Sequence, residues 1–208
     1  MVRLQAKLEM IMGNSSNGFE EYFLHLDKIS FLGRVYKKYI SSPVLYFCAR
    51  RYGSRVVEIG SGTGNGILGS FPKHVQGLEI NPLAVEYCKA KGLDVQLIKE
   101  DGIFPVADGA FDTCVLDNVL EHIEDPRRTL DECYRITQSE GGLIIVVPGK
   151  RGYASDDDHK RFYDEKALRL LDGRWQLQSL FSTPFVFRCE RLSKSVKQYC
   201  LVATYKKI

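Results

Sequence analysis

The residues in this 208-residue chain best placed to do chemistry are an acidic side chain and the glycines after it. They run Glu58-Ile59-Gly60-Ser61-Gly62-Thr63-Gly64-Asn65-Gly66, with a glycine at every second position. Such an alternation lets the backbone turn sharply and lie against a ligand with no side chain between them. Before it, Val56 to Ile59 read as the end of a buried parallel strand, apolar except for Glu58. After it, Ile67, Leu68 and Phe71 are apolar at helical spacing. The unit is strand, glycine loop, helix, and its natural use is to hold a nucleotide-like ligand at the strand's carboxyl end.

Spacing narrows the ligand. The dinucleotide fingerprint G-x-G-x-x-G fails from Gly60 and from Gly62, because Asn65 and Ile67 stand where the third glycine belongs. It fits at Gly64, Gly66 and Gly69, but that start is too far past the strand end for the tight turn it needs. A phosphate-binding loop of the Gly-Lys-Ser/Thr kind is absent. A glycine-rich loop without a ligand is the plain alternative.

These residues need elements to position them. A second strand reads from His74 to Ile80, and Asn81-Pro82 then suits the cap and first position of a helix that Gly92 stops. Glu79 stands about twenty residues beyond the first strand, where a carboxylate can accept hydrogen bonds from both hydroxyls of a ribose. A third strand, Val95 to Lys99, leads to Glu100-Asp101-Gly102, and a fourth, Phe111 to Leu116, closes on Asp117-Asn118. A helical turn over Val119 to Ile123 follows, and Asp125-Pro126 opens a further helix. Leu143 to Val147 reads as the fifth strand, Asp164 as a helix cap, and Trp175 to Thr183 with Gln198 to Lys206 as two final strands. Residues 1–54 read as mostly helical, over Phe19 to Leu32 and Gly33 to Tyr52, with Ser42-Pro43 as a break or helix start. Their aromatic content reads first as packing against the sheet, and otherwise as a flap over a site.

Glu58-Ile59-Gly60-Ser61-Gly62-Thr63-Gly64 resembles motif I, E/D-x-G-x-G-x-G, of the class I S-adenosylmethionine (SAM) dependent methyltransferases. Phe111-Asp112 with Val119-Leu120-Glu121-His122-Ile123-Glu124-Asp125-Pro126 resembles the F-D … V-L-E-H-I-x-D-P segment of the small-molecule methyltransferases like those of ubiquinone and menaquinone biosynthesis. The resemblance covers residues 55 to 150 well and the rest loosely. It implies an α/β, Rossmann-like, doubly wound sheet of seven mostly parallel strands with one antiparallel edge strand. It further implies a single domain over 1–208: a helical segment at 1–54, a SAM-binding core at 55–150, and an acceptor-side loop, helix and edge hairpin at 151–208.

The same resemblance assigns a cofactor set. Glu58, Gly60, Ser61, Gly62 and Gly64 form the loop for the amino-acid part, and Glu79 with Ile80 lies at the ribose. Asp101 would accept from the adenine amino group, with Gly102 as a backbone contact, and Asp117 and Asn118 would border the methionine part. His122 would sit near the acceptor pocket, where an imidazole of suitable pKa could act as general base; a structural histidine is an equal alternative. Asp158-His159 with Tyr163 matches a pattern that closes over the acceptor side in relatives, which makes His159 a second candidate. No metal is expected: the aspartates at 156 to 158 read as a solvated loop, since three adjacent carboxylates cannot all face one ion.

Composition bounds the partners. A formal net charge of +3 is too small to imply nucleic acid, and no apolar run reaches membrane-spanning length. The six cysteines are scattered without a C-x-x-C pair, which suits buried thiols in a reducing compartment, and the N-terminus lacks the apolar core of a signal peptide. The expectation is a cytoplasmic enzyme that moves a methyl group from SAM to a small-molecule acceptor and leaves S-adenosylhomocysteine. Its alternative is a non-catalytic SAM-binding regulatory or interaction protein on the same fold. A base-modifying enzyme would carry N/D-P-P-Y/F after the fourth strand, where Asn118-Val119-Leu120-Glu121 stands instead. A nicotinamide oxidoreductase fails on glycine spacing.

Overall fold

The computed structural model describes residues 19–20, 23, 31–99, 101–185 and 187–208. The helix expected over Phe19 to Leu32 falls mostly outside them. The rest of the N-terminal segment is helical as read: α1 (Phe31–Tyr36), a π-helical stretch (Lys37–Ser41) and α2 (Ser42–Arg50). Pro43 has no N–H to return to the preceding turn. The ladder loosens just before it, and the Ser42 N–H bonds back to the carbonyl of Lys37.

Seven strands follow: β1 (Val56–Ile59), β2 (Val75–Glu79), β3 (Val95–Leu97), β4 (Phe111–Asp117), β5 (Thr137–Pro148), β6 (Trp175–Thr183) and β7 (Cys200–Lys207). They form one sheet in the order β3-β2-β1-β4-β5-β7-β6. Pairing from β3 through to β5 is parallel, and β7 is antiparallel to both of its neighbours. The reversed strand expected at this end of the sheet is therefore β7, with β6 outside it as the other arm of the expected hairpin. β5 begins earlier than the apolar run at Leu143 suggests. It starts at Thr137 directly after a helix, and a bulge opposite Phe111 to Thr113 and the left-handed Glu140 absorb the irregular start.

Both faces of the sheet are covered, so β1 and β4 are buried along their whole length. Val57, Ile59, Leu116, Leu143 and Ile145 join the core on one face. Val56, Val115, Ile144 and Val146 join the core on the other, where Leu45 and Ala49 of α2 pack. The connecting helices are α3 (Ile67–Ser70), α4 (Pro82–Ala90), α5 (Arg127–Ile136), α6 (Lys150–Tyr153), α7 (Glu165–Arg169) and α8 (Glu190–Ser195). Two caps fall where the sequence puts them. The Asn81 side chain accepts from the N–H groups of Leu83 and Ala84, and Asp164 accepts from that of Ala167.

One topological feature places the site. From β1 the chain winds outward to β2 and β3, then crosses to β4 on the other side of β1. The strand ends at Ile59 and Leu116 lie side by side, while the loops leaving them diverge. A crevice opens at such a switch point.

Candidate active site

The crevice is a cleft of about 830 Å³ at the carboxyl ends of β1, β2 and β4. Gly60 and Gly62 in its wall, and Gly64 behind it against Leu93, have φ of 67°, 52° and 73°, the left-handed region that L side chains avoid. Alternation of glycine is thus alternation of backbone hand. At Gly60 and Gly64 a Cβ would also meet Val119 Cγ2 at 2.8 Å and Leu93 Cδ1 at 2.5 Å.

The loop is tied down from beneath. Gly60 N–H donates to the Leu78 carbonyl at 2.8 Å, and the Cys88 thiol donates to the Gly62 carbonyl at 3.3 Å. Glu58, buried under the loop, accepts from the N–H groups of Ile67 at 3.3 Å and Leu68 at 2.8 Å. A Cβ on Gly66 would fall 1.9 Å from its Oε1, which explains the last glycine of the run. Glu58 joins loop to helix, and burial, with Asp117 nearby, pushes its pKa up to about 7. Ser61 is buried in the same wall, and its hydroxyl has no hydrogen-bond partner among the described residues.

Glu79 reaches the cleft from the end of β2. Its carboxylate accepts from Gly62 N–H at 2.7 Å and from the N–H groups of Ile80 and Asn81, each at 2.9 Å. Burial raises its pKa while these three bonds favour the ionised form. The acid therefore stands beside the loop with its orientation held by backbone, and Ile80 lines the cleft next to it. Asp117 and Asn118 line the wall at the end of β4, with Asn118 at φ 57°.

Of the expected cofactor residues, Gly64 and Asp101 stand off the cleft, and Asp101 stands apart altogether. It is exposed, does not line the cleft, and turns its carboxylate to the N–H of Ile103 at 3.0 Å. An aspartate in a turn satisfies its own backbone first. Gly102, its neighbour, does line the cleft together with Ile98 and Phe104.

One wall segment had no signal in local sequence. Gly33, Tyr36 and Lys37 of the N-terminal helical segment close one side of the cleft. The Lys37 ammonium donates to Asp117 Oδ2 at 3.1 Å; burial opposes its charge, but Asp117 outweighs this and raises its pKa. Of the two readings of residues 1–54, packing and a flap over the site, both have a part here: Leu45 and Ala49 pack on the sheet, while Gly33, Tyr36 and Lys37 border the cleft.

On the far side of the cleft, His122 and His159 come together with ring centroids 4.7 Å apart. His122 lies on a 3₁₀ turn, Leu120–His122, and His159 on the loop after α6. The Glu121 carbonyl binds that loop by accepting from the N–H groups of Lys160 at 2.7 Å and Arg161 at 3.0 Å. His159 Nδ1 is 2.7 Å from the Tyr153 carbonyl, which can only accept, so this nitrogen carries the proton. His122 Nδ1 is 3.2 Å from Asp158 Oδ2, and burial and His159 both lower its pKa. Beside them stands Glu121, fully buried, with neither carboxylate oxygen hydrogen-bonded among the described residues. Burial pushes its pKa up to about 8. The sequence reading quoted Glu121 only as part of a motif and gave it no role.

Comparison with known proteins agrees with this geometry. Residues 57–145 match the family described as a methyltransferase domain. An uncharacterized methyltransferase of Mycobacterium sp. (strain KMS) is 30% identical over 97 residues, 45% of this chain and 38% of that protein. A demethylmenaquinone methyltransferase of Renibacterium salmoninarum is 24% identical over 146 residues, 67% of this chain and 59% of that protein. The matches thus span 38% and 59% of these relatives' own lengths. A SAM-dependent methyltransferase from Aquifex aeolicus has the same fold, with a TM-score of 0.64 over 89% of this chain and 98% of that one at 17% identity. Residues 57–145 thus resemble a methyltransferase domain, and the fold is that of a solved SAM-dependent methyltransferase. The left-handed glycine cradle, the unpartnered Ser61 hydroxyl and the backbone-held Glu79 fit SAM as the group held there.

Proposed function

We propose that this protein transfers the methyl group of SAM to a small-molecule acceptor. The observation that carries the reading is one cleft with two unlike ends: a glycine cradle with Glu79 at one, and the His122, His159 and Glu121 group at the other. Bound SAM supplies an electrophilic methyl group on a sulfonium, and displacement from it needs an acceptor held in line. For this chain the proposed assignments follow. Backbone of Gly60 to Gly62 and the Ser61 hydroxyl border the amino-acid part, with Lys37 and Asp117 beside it. Glu79 Oε2, which accepts a single hydrogen bond from the protein, takes a ribose hydroxyl. Glu58 acts beneath the loop rather than on the cofactor. Gly102, Ile98 and Phe104 border the adenine, and Asp101 has no contact assigned. The wall from Gly33 to Lys37 excludes water from the electrophile.

A cleft of this size admits a second small molecule beside a nucleotide, which favours a small acceptor. A relative named for demethylmenaquinone points the same way. Calorimetric titration with SAM, S-adenosylhomocysteine and NAD, followed by acceptor screening for S-adenosylhomocysteine release, tests the reading. Binding of the first two alone with release in the screen is the expected result. SAM binding with no turnover on any acceptor would favour a regulatory SAM-binding protein, and tight NAD binding would overturn the site assignment. In the same titration Glu79→Gln, which keeps one acceptor oxygen, should weaken SAM binding about tenfold, near the worth of a hydrogen bond from a charged group. Unchanged affinity would remove Glu79 from the ribose.

A further inference from the structure

The Glu121, His122 and His159 group has a feature that methyl transfer alone does not require. One ligand-type atom from each residue lies within 4.8 Å of those from the other two. His159 presents Nε2 to Glu121 Oε1 at 4.0 Å. With Nδ1–H given to the Tyr153 carbonyl, Nε2 is the ring nitrogen that meets Glu121 Oε1, two atoms able to ligate an ion. At 4.0 Å they are too far apart to share a proton in a hydrogen bond. Glu121 adds a second oxygen, equally buried and equally without a partner. A buried acceptor left unmatched is costly, and a carboxylate more so. Something positive between these atoms would satisfy them together.

The surroundings are those of ligating histidines. A metal-bound imidazole normally donates its other N–H to a carboxylate or a carbonyl, which sets the tautomer and the ring direction. Both arrangements occur here: Asp158 receives Nδ1–H of His122, and the Tyr153 carbonyl receives Nδ1–H of His159. His159 therefore turns Nε2 to the cluster, and the bond to Asp158 leaves His122 Nε2 available to it. The His159 ring is further held by stacking on Tyr153, with centroids 5.1 Å apart.

We propose that Glu121, His122 and His159 hold a divalent transition-metal ion at the acceptor end of the cleft. Two imidazole nitrogens and one carboxylate suit zinc, iron or cobalt, and manganese less well, whereas magnesium prefers an all-oxygen shell. Bonds of about 2.1 Å put ligand atoms roughly 3–4 Å apart, so a spacing of up to 4.8 Å needs to contract by about 1–2 Å. Three protein ligands leave positions open toward the cleft, which all three residues line. An acceptor with an ionisable oxygen, such as a phenol or enol, would complete the coordination. The ion would orient that oxygen and favour its deprotonated form, the proton passing to water. This role toward the acceptor rests on the methyl-transfer reading; ion binding itself does not.

The test uses the full chain, stripped with a chelator and titrated calorimetrically with Zn²⁺, Mn²⁺ and Mg²⁺ without SAM. One zinc ion per chain is expected, held more tightly than manganese and far more tightly than magnesium. His159→Ala and Glu121→Gln should weaken zinc at least about 100-fold, and Asp158→Asn about tenfold through the orientation of His122. A parallel SAM titration of each variant shows that it is folded. No stoichiometric zinc on the wild-type chain, or equal zinc affinity in folded His159→Ala, overturns the proposal. Where a variant does not fold, visible absorption of the Co²⁺-loaded wild-type chain decides: histidine-ligated bands that zinc displaces support the site, and their absence overturns it. Zinc binding with no SAM binding would leave the metal site standing and remove the proposed function.

Discussion

The two ends of the cleft are built in opposite ways. At the cofactor end the working groups are backbone: left-handed glycines 60, 62 and 64, with carboxylates that accept from neighbouring N–H groups. The glycine loop, Glu58 and Glu79 lie between Val56 and Asn81, in consecutive strand–loop–helix units. At the acceptor end the working groups are side chains. His122 meets its partner Asp158 across 36 residues of chain, and the loop carrying Asp158 and His159 is held by the Glu121 carbonyl. A backbone site specifies a common ligand and tolerates few substitutions. A side-chain site can change its ligand residue by residue, which suits a fold that keeps one cofactor and varies its acceptor.

This contrast can be broken by mutation. The largest effect is expected for Gly62→Val, which puts a β-branched residue at φ 52° and should lower SAM affinity at least about 100-fold. Wild-type affinity by calorimetry would show that the left-handed backbone is not what binds. At the other end His159→Ala should leave SAM affinity within about twofold while removing most turnover, on the order of 100-fold for a group acting at the acceptor. Equal losses in binding and turnover would mean that the two ends are not separable.

A pH series sharpens the cofactor end. Glu58, with Asp117 and Lys37 as its charged neighbours, has its pKa raised in the fold from 4.5 to about 7. The fold favours the neutral acid, so its contribution to stability is full below about pH 4.5 and is lost as pH rises through about 7. Urea unfolding should therefore show the wild type losing ground against Glu58→Gln between these values, with a flat difference above them. A difference independent of pH would place the ionised form in the folded state throughout. The smallest effect is expected outside the cleft. Asn81→Ala removes a cap that accepts from two N–H groups and should cost about 1 kcal/mol in thermal unfolding, with SAM affinity retained. A large loss of affinity would mean that the cap positions Glu79.

Local pattern determined most of the first end. The bounds of β1 and β6, the Asn81 and Asp164 caps, and the glycine loop followed from β-branched runs, turn residues and the glycine spacing. Each depends on residues within a few positions of one another, so periodicity and backbone freedom suffice to read it. Asp101 shows the limit: whether an acid after a strand faces ligand or caps its own turn is settled by loop conformation, not by residue type. Tertiary structure alone decided the rest. Lys37 reaches Asp117 across 80 residues, and buried Glu121 meets His159 with no hydrogen-bond partner for its carboxyl oxygens among the described residues. The sequence carries the chemistry of these side chains. Burial and meeting distance are properties of packing, and only the folded chain sets them.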